Sequence, residues 1–382
     1  MPEHQLTLRL DAMAYGGDAI GRTEGKAVFV QGGIAGERVR VEMVQDRARF
    51  ARGRAVEIVE PSPDRVQPRC PHFGFNPHSC GGCHWQHIDY AAQVRFKTDI
   101  VREQFRRLGR IDPAPVRDTI PSPEEWAYRN TAQFSVTPDG RLGFLAARSH
   151  RIVPVQTCDV VQMPIAAWLQ AAGRVDGDRV EARFFEDGGL RVWKPGLHLP
   201  PAGQTIKGVK FRVSTKSFFQ VNTCLVETMV NLVLRGLDLR GVEIVLDGYC
   251  GVGLFARHMA SQARRVIGVE LDPNAMADAR ENLAWLENVE LREGPMETVL
   301  PELAGPIDAA VVDPPRAGCG PKVIAALIDR PVRRLVYASC DPSTLARDAR
   351  QLLDGGYRLV EVQPLDMFPQ TYHIESISVF TR

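Results

Sequence analysis

The C-terminal part of the chain, from residue 243 onward, alternates short apolar strands with helices, and this alternation restricts the possible folds more than any other feature. It is typical of a doubly wound α/β sheet, in which ligands bind at the carboxyl ends of the strands. We therefore expect the candidate site at that edge of the sheet. The predicted strands are 244–247, 265–270, 289–293, 309–313, 334–339, 357–366 and 375–381, with helices such as 274–286 and 343–353 between them.

The first of these strands leads into a glycine-rich turn, with the sequence EIVLDGYCGVGLF at 243–255. Gly251 and Gly253 allow backbone N–H groups to approach a ligand where the next helix begins. The following strand ends in Glu270, whose carboxylate can accept hydrogen bonds from both hydroxyls of a ribose. Nucleotides and S-adenosylmethionine both suit such a turn. The aromatic Tyr249 and the missing third glycine of the dinucleotide pattern favour S-adenosylmethionine.

A cysteine directly follows the fifth of these strands, in the segment VYASCDP at 336–342. Cys340 therefore lies at the predicted cofactor edge, where a thiol is a candidate nucleophile. Because Pro342 can begin a helix, we expect the helix N-terminus to lower the pKa of this thiol. Asp313 ends the fourth strand in Asp-Pro-Pro-Arg, where its carboxylate can face both cofactor and substrate. Together these features predict a methyltransferase that attacks its substrate covalently.

The segment FPQTYHIESISVF at 368–380 precedes and includes the last strand, and it contains His373 and Glu375. A carboxylate can act as a general base if burial raises its pKa. Either residue could equally be the solvated end of a strand, so the residues alone leave both roles open.

Upstream of the α/β region the sequence predicts three further units. Short strands at 6–10, 27–30, 38–44 and 51–58, separated by glycine turns, are typical of the small barrels that often bind nucleic acids. The predicted units are a barrel at 1–59, a cysteine segment with a helix at 60–110, a mainly β central domain at 111–210 and the cofactor domain at 211–382.

The net charge of +1 over 382 residues does not by itself predict nucleic-acid binding. Two stretches, 38–54 and 94–110, each hold six basic residues against two acidic ones. Such stretches can follow a phosphate backbone, although a solvated charged face explains either one equally well. No apolar run is long enough to span a membrane and no basic start precedes an apolar core, so we expect a cytoplasmic protein.

Eight cysteines in a chain expected in the cytosol argue against a disulfide framework. Cys70, Cys80 and Cys83 form a cluster, and the distant Cys158 supplies a fourth thiol. Four thiolates suit either structural zinc or an iron–sulfur cluster, and the spacing does not distinguish the two. The cysteines expected to be packing residues are Cys224, Cys250 and Cys319.

Six motifs make the chain resemble the RNA uracil-5-methyltransferases, which use S-adenosylmethionine, and the resemblance covers essentially the whole chain. It implies that Cys340 is the nucleophile and Glu375 the general base. It also implies that Gln220, Tyr249, Glu270 and Asp313 line the S-adenosylmethionine site. The motifs are YRNTAQF at 128–134, FFQVN at 218–222, DGYCGVGLF at 247–255, VVDPPRAG at 311–318, YASCDPSTLARD at 337–348 and FPQTYHIES at 368–376.

The resemblance implies that the Cys340 thiolate adds to C6 of uracil, which makes C5 enolate-like. C5 then takes the methyl group. Glu375 removes the C5 proton, and the thiolate is expelled. The target base must leave its stack to reach the pocket. The barrel resembles a TRAM domain, which implies RNA docking. The barrel and four cysteines resemble the branch that acts on 23S ribosomal RNA. The resemblance implies a [4Fe-4S] cluster on Cys70, Cys80, Cys83 and Cys158, with zinc as the alternative, and we expect the protein to be a monomer.

The chain departs from the family pattern at several positions. Asp341 stands where relatives often have Asn, and Leu254 occupies a position that is polar in some relatives. Gly294 and Pro295 occupy the region where a third-strand acid commonly meets adenine, so Glu293 or Glu297 would have to take over that contact.

Three rival functions remain. The same chemistry on a transfer-RNA uridine is the first. Formation of 5-methylcytosine is disfavoured, because those enzymes generally have a catalytic cysteine where this chain has Asp313, Pro314 and Pro315. A non-catalytic iron–sulfur protein that binds RNA or senses redox state is the third, and the presence of both Cys340 and Glu375 argues against it.

Overall fold

The N-terminal strands close into a small barrel in the computed structural model, which describes residues 5–197 and 199–382. Residues 1–4, which belong to the predicted 1–59 unit, lie outside the described residues. Alternation along the strands forms the interior: in β4, Val39 and Val41 are buried while Arg38 and Arg40 are exposed. The second strand was not predicted from the sequence. The strands are β1 (Gln5–Met13), β2 (Ala19–Thr23), β3 (Lys26–Gln31), β4 (Arg38–Asp46) and β5 (Phe50–Glu60), in the order β1-β2-β3-β5-β4.

An irregular cysteine segment follows the barrel and leads into helix α1 (Tyr90–Gln104). The helix begins at Asp89, whose side chain accepts a hydrogen bond from the Ala91 N–H at 3.0 Å. It continues into a π-helical turn at Phe105–Gly109 and ends where Arg110 adopts a left-handed conformation. The helix predicted within the 60–110 unit is therefore present.

The central part of the chain forms a five-stranded antiparallel sheet in the order β10-β9-β6-β7-β8. Helix α2 (Met163–Ala171) packs on it through Ile165 and Leu169, which share a cluster with Phe134. A separate hairpin of β11 (Ala202–Ile206) and β12 (Val209–Val213) follows and crosses the predicted boundary at 210. The sheet strands are β6 (Thr131–Val136), β7 (Leu142–Leu145), β8 (Ile152–Pro154), β9 (Arg179–Phe185) and β10 (Gly189–Trp193).

The C-terminal part forms a seven-stranded sheet in the order β15-β14-β13-β16-β17-β19-β18, with helices on both faces. Alternate residues of β13 pack into two different hydrophobic clusters: Leu246 into one and Val245 into the other. The strands are β13 (Ile244–Gly248), β14 (Arg265–Glu270), β15 (Val289–Glu293), β16 (Ala309–Val312), β17 (Arg334–Ser339), β18 (Arg358–Leu365) and β19 (Glu375–Thr381). The helices are α3 (Val226–Leu237), α4 (Leu254–Met259), α5 (Pro273–Leu283), α6 (Met296–Glu302), α7 (Gly320–Asp329) and α8 (Pro342–Asp354).

This topology confirms the predicted doubly wound α/β domain. Strand β13 pairs in parallel with β14 on one side and with β16 on the other. The chain therefore reverses direction across the sheet at β13, and a ligand crevice is expected outside its carboxyl end. Within residues 5–197 and 199–382, no helix is long and apolar enough to cross a membrane.

Candidate active site

The glycine-rich turn leaves β13 at the switch point of the sheet, as the sequence predicted. Gly251 and Gly253 have φ values of +56° and +88°, which favour glycine. Tyr249 also has a positive φ, +64°, in a conformation that costs an ordinary residue roughly 1–2 kcal/mol. Burial raises the pKa of Tyr249, and the neighbouring Cys319 raises it further. The Tyr249 side chain therefore lies near the buried loop that precedes α7.

Glu270 ties the glycine turn to the end of β14. Its Oε2 accepts a hydrogen bond from the Gly251 N–H at 2.8 Å, and its Oε1 accepts from the Leu271 and Asp272 N–H groups at 2.7 Å each. A carboxylate has about four lone-pair positions, so about one remains on Oε2 for a ligand hydroxyl. Glu270 therefore shapes the turn as well as facing the crevice.

A second carboxylate, Asp247, lies buried beneath the turn. Its Oδ2 accepts a hydrogen bond from the Ala256 N–H at 2.7 Å, whereas its Oδ1 has no partner among the described residues. Burial, together with the charges of Asp313 and Glu270, raises the pKa of Asp247 to about 8. Asp313 follows β16, and its N–H donates to the Gly248 carbonyl at 3.1 Å. Three carboxylates thus gather around the end of β13.

Cys340 and Glu375 meet at the same edge of the sheet because β17 and β19 are antiparallel neighbours. Ser339 pairs with Ser376 in the strand register, so the residue after β17 lies beside the first residue of β19. Glu375 is only 3% exposed, and its Oε1 has no hydrogen-bond partner among the described residues. It is therefore a buried carboxylate and not the solvated end of a strand.

The carboxylates of Glu375 and Asp313 interact strongly with one another. Burial raises the pKa of both groups, and the charge of Asp313 raises that of Glu375 further. Two close carboxylates in a desolvated site resist ionising together, so the pair retains a proton more readily than either group would alone. A proton acceptor of raised pKa suits general-base chemistry near neutral pH.

The sequence expectation of a low pKa for Cys340 is wrong. Burial, and then the charges of Glu375 and Asp313, raise the pKa of this thiol to about 11, while Arg316 acts in the opposite direction. Pro342 does begin α8, as predicted, with Asp341 as its N-cap. The favourable effect of the helix terminus is outweighed because partial burial and the charges of Glu375, Asp313 and Asp341 all disfavour the thiolate.

The segment between β18 and β19, which precedes Glu375, is held at two points by helix α1. Lys97 of α1 donates to Asp366 Oδ1 at 2.5 Å and to the Phe368 carbonyl at 3.1 Å, and both charged side chains are fully buried. Gln93 donates from Nε2 to Gln370 Oε1 at 3.0 Å and accepts from the Gln370 N–H at 3.0 Å. Helix α1 therefore fixes the segment that leads to Glu375.

His373 lies within this segment and is neutral at physiological pH. Burial, reinforced by Arg316 and His84, lowers the pKa of His373 to about 3. Its ring centroid lies 4.4 Å from that of Tyr372 and 5.8 Å from that of Phe368. The imidazole thus contributes an aromatic surface next to Glu375 and not a positive charge.

Two further predicted cofactor contacts lie on neighbouring segments. Gln220 is a buried residue of the segment that joins β12 to α3. Its backbone carbonyl accepts a hydrogen bond from Asn130 Nδ2 at 3.1 Å. Of the two candidate acids near β15, Glu293 pairs with Arg280 at 2.7 Å, whereas Glu297 contributes to the raised pKa of Tyr249. Glu297 is therefore the better placed of the two to reach the cofactor turn.

All four predicted metal-ligating cysteines line one cavity of about 340 Å³, on the side of the site that faces the cysteine segment. Burial raises the pKa of Cys83 to about 12 and of Cys158 to about 11, and it also raises the pKa values of Cys70 and Cys80. The set of four thiols suits metals that prefer sulfur ligands. Across residues 5–197 and 199–382, however, no group of three or more His, Cys, Asp or Glu side chains is placed to hold a metal ion.

Sequence reasoning missed two residues at this edge. Arg316 lines the cysteine cavity and is the cation that lowers the pKa of Cys340. Its position, three residues after Asp313 in a stiff proline-containing loop, was an available signal. Tyr15, from the barrel, donates its hydroxyl to Asp341 Oδ2 at 3.0 Å. No local pattern links two residues so far apart in the chain.

Three protein-family models match the chain. The TRAM domain model matches residues 7–56, and a methyltransferase domain model matches residues 245–335. The model described as tRNA (uracil-5-)-methyltransferase matches residues 306–382, which include Asp313, Cys340 and Glu375.

Relatives match along nearly the whole chain. An uncharacterized RNA methyltransferase of Gloeobacter violaceus is 33% identical over 446 residues, covering 99% of this chain and 96% of the relative. Another, of Streptomyces avermitilis, is 34% identical over 424 residues and covers 97% of each. The crystal structure of Pyrococcus abyssi tRNA (uracil-54, C5)-methyltransferase in complex with S-adenosyl-L-homocysteine is 23% identical, with a TM-score of 0.73 over 98% of this chain and 100% of that one. The last likeness shows a shared fold.

Proposed function

We propose that this chain, which belongs to a family of RNA methyltransferases, transfers a methyl group from S-adenosylmethionine to C5 of a uridine, since the tRNA (uracil-5-)-methyltransferase model matches its residues 306–382. The observation that supports this proposal most is the meeting of Cys340 and Glu375 beside Asp313, at the carboxyl edge of the sheet. A thiol and a buried carboxylate at one position are the two groups that covalent attack on C6 and removal of the C5 proton require.

The cofactor would lie outside the end of β13, held by Tyr249, Gly251, Glu270, Asp313 and Gln220. The remaining acceptor position on Glu270 fits a ligand that brings a hydrogen-bond donor into this crevice. The sulfonium of S-adenosylmethionine also suits a crevice with several carboxylates. When bound, this cofactor supplies an electrophilic methyl group to C5 of the target base.

The nucleophile is Cys340. Its raised pKa keeps the resting thiol protonated, so the proton must leave before or during attack on C6 of uracil. Arg316 favours the thiolate and faces the same pocket. Addition of the thiolate to C6 makes C5 electron-rich, which is the change that permits methylation of an otherwise weakly nucleophilic carbon.

Glu375 is the general base. Its desolvated carboxylate has a raised pKa and an unpartnered Oε1, so it is well suited to accept the proton that leaves C5. Loss of that proton restores the double bond between C5 and C6 and expels the Cys340 thiolate. His373 and Tyr372 supply aromatic surface for a base that has left its stack.

For the RNA, we propose a uridine of 23S ribosomal RNA, on the combination of the barrel with the four-cysteine cavity. A transfer-RNA uridine is the second candidate and is favoured by the description of the family model that matches residues 306–382. We also propose the division at 1–59, 60–110, 111–210 and 211–382, with the barrel docking RNA and the protein acting as a cytoplasmic monomer.

We propose that Cys70, Cys80, Cys83 and Cys158 hold a [4Fe-4S] cluster, with zinc as the alternative. The support is that one cavity is lined by all four thiols. Protein purified without oxygen should give stoichiometric iron and sulfide, and Cys83→Ser should lower both. The matched control is Cys224→Ser, since Cys224 is exposed and does not line this cavity. Metal contents that are equally low in wild type and Cys83→Ser would contradict the proposal.

The methylation reaction is tested directly with unmodified 23S ribosomal RNA and transfer RNA, each incubated with the protein and S-adenosylmethionine, digested and analysed by mass spectrometry. We expect 5-methyluridine in the ribosomal RNA with wild type and none with Cys340→Ala. Methylation of transfer RNA alone would retain the chemistry and change the substrate. Full activity of Cys340→Ala would exclude the proposed nucleophile.

A further inference from the structure

The loop that joins β1 to β2 of the barrel reaches Asp341, the residue that follows Cys340. Tyr15 donates its hydroxyl to Asp341 Oδ2 at 3.0 Å. The other oxygen of this carboxylate, Oδ1, accepts from the Ser343 and Thr344 N–H groups at 2.8 and 3.1 Å and so caps α8. Asp341 directly follows Cys340. A single carboxylate therefore connects the barrel, the N-terminus of α8 and the reactive thiol.

The loop that holds Tyr15 is itself fixed against the catalytic side of the molecule. The rings of Tyr15 and Tyr372 meet edge to face, with centroids 5.8 Å apart. The Gly17 carbonyl accepts a hydrogen bond from the Trp85 indole at 3.0 Å. A Cβ added at Gly17, which has φ of +94°, would lie 3.0 Å from the Tyr372 ring. The loop thus packs closely against the residues that precede Glu375, and the Tyr15 hydroxyl has little freedom to move.

We propose that Tyr15 is a positioning residue of the active site: by holding Asp341 it sets the orientation of the Cys340 loop for attack. This inference rests on the proposed function and extends it, because it assigns the barrel a part in catalysis besides docking RNA. Tyr15 touches neither the substrate nor the reacting atoms, and it acts through Asp341 alone.

The electrostatic surroundings of Cys340 give this hydrogen bond a measurable consequence. A hydroxyl that donates a hydrogen bond to Asp341 reduces the negative charge that this carboxylate presents to the Cys340 thiol. Without the Tyr15 hydroxyl, the negative charge of Asp341 repels the Cys340 thiolate more strongly and raises the pKa of the thiol. The ionisable and charged groups that face the thiol are Glu375 of β19, Asp313 and Arg316 of the loop after β16, Asp341 at the start of α8 and Tyr15 of the barrel.

The test is Tyr15→Phe, which removes the hydroxyl and keeps the ring that packs on Tyr372. We expect kcat for methylation to fall about tenfold or more, with KM for RNA changed less than about twofold, since only positioning is lost. The pH profile of Cys340 alkylation by iodoacetamide, followed by mass spectrometry of the Cys340 peptide, should move to higher pH by about half a unit or more.

The matched control is Tyr357→Phe. The Tyr357 hydroxyl accepts from the Val332 N–H at 3.0 Å and donates to the Leu327 carbonyl at 2.9 Å, away from the active site. This variant should lose stability in thermal unfolding but keep the wild-type alkylation profile. A loss of stability alone therefore cannot reproduce the expected effect of Tyr15→Phe.

A double-mutant cycle with Asp341→Asn separates an action through Asp341 from a general disturbance. Asn is also a good N-cap, so α8 should remain capped. The proposal requires that Tyr15→Phe change the alkylation profile in wild type and have little effect in Asp341→Asn. Equal effects in both backgrounds, or none in wild type, would overturn it. Alkylation needs no RNA or cofactor, so failure of the wild type to methylate would refute the proposed function while this test still decides the role of Tyr15.

Discussion

Ser339 at the end of β17 lies opposite Ser376 near the start of β19, and this register places Cys340 and Glu375 next to one another. Strands β17 and β19 run in opposite directions. Cys340 directly follows the last residue of β17, and Glu375 is the first residue of β19. Strand β19 runs antiparallel to both of its neighbours, β17 and β18, in a sheet whose other strand pairs are parallel, and this reversal is what brings Cys340 and Glu375 together. One residue of register shift would direct Glu375 to the other face of the sheet.

The first prediction is that Glu375→Gln accumulates a covalent complex with RNA. The amide can replace the buried carboxylate in shape but cannot accept the C5 proton, so attack and methyl transfer should proceed while release stalls. A protein–RNA band that survives denaturing electrophoresis should appear in proportion to S-adenosylmethionine. The Cys340→Ala, Glu375→Gln double variant is the control and should give no such band. Turnover of Glu375→Gln at the wild-type rate would place the base elsewhere.

The second prediction concerns the pH dependence of Cys340. Because the pKa of the thiol is raised to about 11, the reactive thiolate fraction should grow about tenfold per pH unit between pH 7 and 9. Glu375 is the largest charged contributor to this increase, so Glu375→Gln should shift the alkylation profile to lower pH. The shift should be greatest at high pH, where Glu375 of the wild type is ionised. A profile with a midpoint near pH 7 in wild type would contradict the raised pKa.

Most strands of the α/β domain were predictable because they combine a buried apolar run with a nearby glycine or proline, although β15, at the edge of the sheet, contains no buried residue. Cys340, Asp313 and Glu270 were placed correctly at the sheet edge because the carboxyl ends of neighbouring parallel strands meet there. Strand β2 was missed because AIGRT contains a glycine and an arginine and is too short to show alternation. Strand β11, with the sequence AGQTI, was missed for a similar reason.

The electrostatics of the site were not predictable from local sequence. The helix that begins at Pro342 was found correctly, but the pKa of Cys340 depends on Glu375 and Asp313, which reach the thiol only through the sheet. The contact between Tyr15 and Asp341 likewise depends on how the barrel packs on the α/β domain. A motif identifies residues that share a strand end, whereas desolvation and charge depend on all the elements around them.

The third prediction concerns the buried ion pair between Lys97 and Asp366. Lys97→Met should leave the Asp366 carboxylate buried and uncompensated, which typically costs about 3–5 kcal/mol of unfolding free energy. Urea unfolding measures this cost. On the same helix, Arg95 pairs with Asp64 at 2.9 Å but is exposed, so the control Arg95→Met should cost less than about 1 kcal/mol. Equal losses for the two variants would show that burial of the pair does not determine its contribution.

The fourth prediction concerns the cofactor turn. Glu270→Gln replaces one carboxylate oxygen, which accepts hydrogen bonds from backbone N–H groups, with an NH2 group, which can only donate. The turn therefore loses either the hydrogen bond from the Gly251 N–H or those from the Leu271 and Asp272 N–H groups. Hydrogen bonds to a charged group contribute about 1.5–3 kcal/mol, so the Kd for S-adenosylhomocysteine should rise by about ten- to a hundredfold. Isothermal titration calorimetry measures this directly.

Glu293→Gln is the matched control for the cofactor turn, because Glu293 ends the neighbouring strand β15 but forms an exposed pair with Arg280. Its affinity for S-adenosylhomocysteine should stay within about twofold of wild type, as expected for the loss of an exposed ion pair. Glu297→Gln should weaken binding more than Glu293→Gln, since the charge of Glu297 acts on Tyr249. If Glu293→Gln were the more damaging of the two, the acid near adenine would be Glu293, and its pairing with Arg280 would have to break when the cofactor binds.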